Sequence, residues 1–159
     1  MSRLTLLCIV IVLGMVSVPA LGQSLEFKAE LRGAEEVPPV STAASGEVRL
    51  RVNGARTEIA FELEIKGATN ILSAAGAHLH CGARGVNGPV VAFLAGPVTG
   101  GFDGQVEIKA VLTDANITNP ACGSTIAALV QSMQDGRVYA NAHSTAFPAG
   151  EIRGQVRPD

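Results

Sequence analysis

Leu25-Glu26-Phe27-Lys28-Ala29-Glu30-Leu31-Arg32 alternates apolar and charged residues without a break. A period of two belongs to a strand with one buried and one wet face. The same rhythm returns where Val48, Leu50 and Val52 interleave with Glu47, Arg49 and Arg51. A slip of one residue would bury every one of those charges, so the register is strongly specified. Asn53-Gly54 is a hairpin turn signal, and Ile59, Phe61, Leu63 and Ile65 form the buried side of the strand that follows. Further strands are expected around Gly76 to Cys81, Pro89 to Leu94, Gln105 to Leu112, Arg137 to His143 and Glu151 to Arg157. One segment departs from the pattern: Ser124 to Gln134 carries Ile126, Leu129, Val130 and Met133 at helical spacing, with Ser124 as N-cap and Gly136 as the stop. Short strands between Gly, Pro and Asn turns, without repeated strand and helix alternation, predict an all-β fold. The expected architecture is an antiparallel Greek-key sandwich or barrel of about eight strands with one short helix near 124–134.

Working outward, residues 1–22 read as a secretory signal peptide: Arg3, an uncharged apolar run from Leu4 to Val18, then small residues at Ala20 and Gly22. The run is shorter than the roughly 20 residues that span a bilayer, and nothing later is apolar enough to do so. Cys8 lies inside the run rather than after it, which argues against a lipoprotein anchor. Residues 23–159 then form one domain, exported to the periplasm or the extracellular space, with room for one hydrophobic core. Loss of Arg3 takes the net charge from −2 to −3, and no basic block remains. Nucleic acid is therefore not an expected partner. Trp is absent and aromatics are only 4% of the chain, too few for a base- or sugar-stacking platform.

Cys81 and Cys122 remain after cleavage, and in an oxidising compartment such a pair reads as a disulfide. The rival reading makes Cys81 a thiolate ligand beside His80 and leaves Cys122 unexplained.

All three histidines of the chain fall in two short segments. On a strand, His78 and His80 share one face, about 6 to 7 Å apart between α-carbons, while Ala77, Leu79 and Cys81 share the other. Val138, Ala140 and Ala142 likewise set Tyr139, Asn141 and His143 on the opposite face. The three imidazoles are expected to point outward from the core, and neutral imidazoles suit copper or zinc. Asn87-Gly88-Pro89 and Pro148 with Gly150 read as turn chemistry. Glu36 and the Glu151-Ile-Arg153 segment could form an ion pair or a loop clamp. Ser144 and Thr145 follow His143, but neither a nucleophile elbow nor an oxyanion hole is signalled. Asn116-Ile117-Thr118 is an N-glycosylation sequon with meaning only in a host that glycosylates exported proteins.

Three ordered motifs resemble the CHRD family, the domain first recognised in chordin. They are Leu31-Arg-Gly-Ala-Glu-Glu-Val-Pro-Pro-Val40; Ala77-His-Leu-His80 followed by Gly85-Val-Asn-Gly-Pro-Val90; and Tyr139-Ala-Asn-Ala-His143 leading to Pro148-Ala-Gly-Glu-Ile-Arg-Gly154. The resemblance implies an all-β sandwich module without an established general activity and leaves function open. The leading reading is a binding or interaction module whose partner is an unidentified protein or a metal ion. A looser likeness is to Cu,Zn superoxide dismutase, where a His-x-His strand and a later histidine supply copper ligands beside a disulfide. His78, His80 and His143 resemble that subset, and Cys81 with Cys122 resembles the bridge. That likeness implies, as the alternative function, a metal-dependent enzyme of dismutase-like ancestry. The departure is the missing fourth histidine that would bridge copper to zinc.

Overall fold

The computed structural model describes residues 25–159, so the expected signal peptide lies outside the described residues. The alternating segments form strands as their periodicity requires: β1 (Leu25–Arg32), β2 (Ser45–Val52), β3 (Ile59–Ile71), β4 (Ala77–Cys81), β5 (Val90–Ala95), β6 (Phe102–Leu112), β7 (Val138–Ala142), β8 (Ile152–Gln155) and β9 (Arg157–Pro158). A single helix, α1 (Ile126–Gln134), precedes β7.

All pairings are antiparallel, in the order β5-β4-β7-β8-β1-β2-β3-β6 with β9 beside β1, and the sheet is nearly closed into a barrel. β1, β2 and β3 form a meander in unbroken register, Val48 standing opposite both Ala29 and Leu63. The chain then crosses to the far side of the sheet for the β4-β5 hairpin, returns to lay β6 on β3, and crosses again through α1 to insert β7 beside β4.

Leu31, Leu50, Ile59, Leu63, Ile65 and Leu79 fill the interior, and α1 closes it with Ile126, Leu129, Val130 and Met133. The helix is capped by Thr125, whose side chain accepts from the Ala128 N–H, rather than by the expected Ser124. Asp114 Oδ1 takes up a second orphan donor, the Ile126 N–H at 2.7 Å. The expected last strand is divided, because Val156 is buried and its N–H turns to the Val138 carbonyl, leaving β8 and β9 on either side. Asn53 ends β2 as expected, but its side chain organises a loop reaching Glu58, accepting from the Thr57 and Glu58 N–H groups.

The outer face differs between the two halves of the sheet. Over β1, β2, β3 and β6 it is wet, and Glu30, Glu47, Glu64 and Glu107 stand opposite one another in one row. Like charges directly opposite are unfavourable. Each glutamate here is offset by a cation two residues along its own strand: Arg32, Arg49, Lys66 and Lys109 at 2.9, 2.5, 2.9 and 2.6 Å. Over β4, β7 and β8 the outer face is roofed instead by the 33–44, 82–89 and 143–151 segments, and it is there that the polar groups are buried.

Candidate metal centre

β4 and β7 are neighbours, so the two histidine segments meet. His78 lies opposite Asn141, which lies opposite Arg153 on β8, and His80 lies opposite Tyr139. His143 follows β7 directly, its N–H held by the Gly76 carbonyl at 3.0 Å. The side of the strands on which these residues fall is the one expected. Their environment is not: His78, His80 and His143 are only 3%, 8% and 6% exposed. The outward face is covered because Asn87 Nδ2 donates to the Val37 carbonyl at 2.9 Å, drawing two of the covering loops together. Loop packing of this kind leaves no period in the sequence.

The roof also supplies the proton acceptors that orient the rings. His80 Nδ1 lies 2.9 Å from the Gly88 carbonyl and His143 Nδ1 lies 3.1 Å from the Pro148 carbonyl. A carbonyl only accepts, so both rings are assigned the Nδ1–H tautomer, which leaves both Nε2 atoms as lone pairs. His80 Nε2 is buried without a partner. His143 Nε2 lies 3.2 Å from His78 Nδ1 and 3.2 Å from Asn141 Oδ1. One nitrogen from each ring falls within 4.8 Å of the others. Two nitrogens bound to one tetrahedral ion at ~2 Å are about 3.3 Å apart, so the His78–His143 spacing already fits.

Burial lowers the His78 pKa from 6.5 to about 4, with His143 and His80 adding to the effect. Burial also lowers His80 and His143. All three rings are thereby kept neutral, the form in which imidazole binds a metal.

A polar shell surrounds the cluster. Glu36 is buried beside this shell, and burial raises its carboxyl from 4.5 to about 6 against the pull of Arg153. The expected ion pair between Glu36 and Arg153 does not form. The guanidinium is committed to Asn87 Oδ1 at 2.7 Å and the Val86 carbonyl at 2.8 Å, so it clamps a loop, and its carbon lies 3.4 Å over the Tyr139 ring. Tyr139 in turn stacks on His80 at 4.7 Å. Glu151 accepts from Thr42 Oγ1 at 2.7 Å and so is the other clamp. Asn87, read as a turn residue, is a strut between the covering loops. Gly88 is required for more than its turn, because a Cβ there would lie 1.7 Å from the Cys81 carbonyl.

Cys81 and Cys122 form a disulfide with α-carbons 5.5 Å apart. Cys81 is therefore not a thiolate ligand. Asn141 and Tyr139 belong to the site although the sequence reading gave them no role. The available signal was their parity with His143.

An antiparallel barrel whose outer face buries three imidazoles under its own loops defines a β-structured module with a candidate cation site. The CHRD domain family model matches residues 27–156, and the chain belongs to that family. No curated protein and no solved structure matches it. Among the described residues no helix is long and apolar enough to cross a membrane.

Proposed function

We propose that the protein is an exported CHRD-type binding module whose His78, His80 and His143 hold one copper or zinc ion. The observation that carries this reading is a convergence of lone pairs: His143 Nε2 lies within hydrogen-bonding distance of both His78 Nδ1 and Asn141 Oδ1, with too few protons to share. A proton on His78 Nδ1 serves His143 Nε2 in the metal-free protein, and a cation serves all the acceptors at once. Asn141 Oδ1, 3.2 Å from His143 Nε2, is positioned as an oxygen ligand. The Gly88 and Pro148 carbonyls act as the outer partners that fix ring orientation in metal sites. Export is supported by the signal-peptide reading of residues 1–22 and by the disulfide.

No observation favours the dismutase-like enzyme, because all three histidines of the chain belong to this one cluster and none is left to bridge a second metal. Calorimetric titration of the mature protein with copper and with zinc tests the reading. The expected result is one ion per chain. Each single His→Ala change is expected to weaken binding by more than the ~10- to 100-fold typical of losing an outer partner. Equal, weak binding by wild type and the triple alanine variant would remove the metal from the function.

A further inference from the structure

β6 stands at one end of the strand order and pairs with β3 alone. It is 11 residues long, and from Gln105 to Leu112 its register is unbroken. Among the described residues, none of its main-chain groups from Gln105 to Leu112 bonds anything beyond the β3 ladder. The opposite edge is different: Ala92 on β5 bridges to Ile117, and the Thr118 N–H donates to the Val91 carbonyl at 2.9 Å. One edge is closed by the chain itself and the other is left open.

Open edges are commonly protected by charges, and a run of one sign keeps copies apart. The centre of β6 is instead Glu107-Ile108-Lys109, with opposite charges on the same face on either side of an apolar residue. We propose that β6 is a self-association edge, pairing antiparallel with β6 of a second copy about a two-fold axis at Ile108. In that register Glu107 of each copy faces Lys109 of the other, twice. Val106 faces Ala110, and the half-buried Ile108 meets its own symmetry mate, so inner-face carbons that one copy leaves uncovered are covered by two.

Neighbouring registers are disfavoured on the same grounds. A shift of two residues one way sets Glu107 against Glu107, and the other way sets Lys109 against Lys109, both repulsive. A shift of one would place wet-face residues opposite core-face residues. The interface is isologous and closes at two copies, so it gives a dimer rather than a fibre. Val111, half exposed at 50%, then packs against Gln105 of the second copy.

Sedimentation equilibrium of the mature protein tests this directly. Wild type is expected at twice the chain mass. Glu107→Lys and Lys109→Glu, each at an exposed position, are expected to be folded monomers with unchanged circular dichroism. Mixed in equal amounts, the two variants are expected to form a heterodimer, since two lysines then face two glutamates. The double variant Glu107→Lys/Lys109→Glu is expected to recover the homodimer. A wild type that stays monomeric to sub-millimolar concentration overturns the proposal, as does a mixture of the two variants that fails to associate. Neither result bears on the metal.

Discussion

His78 carries the largest cost among the three imidazoles, being buried and flanked by two others. Its pKa of about 4 in the folded chain lies below the 6.5 of an unfolded one. Between those values the unfolded chain binds a proton that the folded chain refuses, so this residue's contribution to stability is lost as pH falls from 6.5 toward 4. His80 and His143, also lowered, act in the same direction. Glu36, raised to about 6, acts against them, holding a proton in the folded state that the unfolded chain has released above 4.5. Three imidazoles outweigh one carboxyl, so the metal-free protein is expected to unfold at lower urea concentration at pH 5 than at pH 7. His78→Gln should flatten that difference, and equal midpoints for wild type would contradict the reasoning. Identity and strand parity made all three histidines legible in the sequence. Their burial was not legible, because it depends on Asn87 reaching Val37 across 50 positions of chain.

At the level of elements, the clean alternation of Leu25–Arg32 and its partners made the meander readable, since charge on every second residue tolerates only one register. Legibility failed where one residue decides a boundary. Val156 looks like a strand residue and interrupts one, and Thr125 rather than its neighbour Ser124 caps the helix, a choice between two equally good cap residues. The 82–89 loop joins element structure to chemistry. Gly88→Ala cannot be accommodated without moving the chain away from the Cys81 carbonyl, and that movement carries the Gly88 oxygen away from His80 Nδ1. The expected outcome is a loss of at least 1 kcal/mol in urea unfolding, in the range of typical destabilising substitutions. Weakened metal binding is expected to accompany it. Full metal affinity in a destabilised Gly88→Ala protein would separate the loop from the site.

Across the whole molecule, the disulfide links the end of β4 to the segment before α1, 41 residues apart in sequence. On the chain-entropy account it contributes roughly 3 to 4 kcal/mol. Cys81→Ser/Cys122→Ser is expected to remain folded, with a midpoint about 10 °C lower by calorimetry. A change of only one or two degrees would mean that the unfolded chain gains little freedom from losing the link. The sheet order was beyond sequence reading, because nothing local tells β3 to cross the barrel or β7 to insert between β4 and β8. The clasp of β1 by the C-terminus has a consequence in time. Lys28 pairs with Arg157 in the sheet and with Asp159 by charge, so the first described strand completes its partnerships only when the last residues of the chain are available. A topology of such high contact order folds slowly and late. β1 therefore takes its final place only once Arg157 and Asp159 have joined it, which makes closure of this part of the sheet one of the last events of folding.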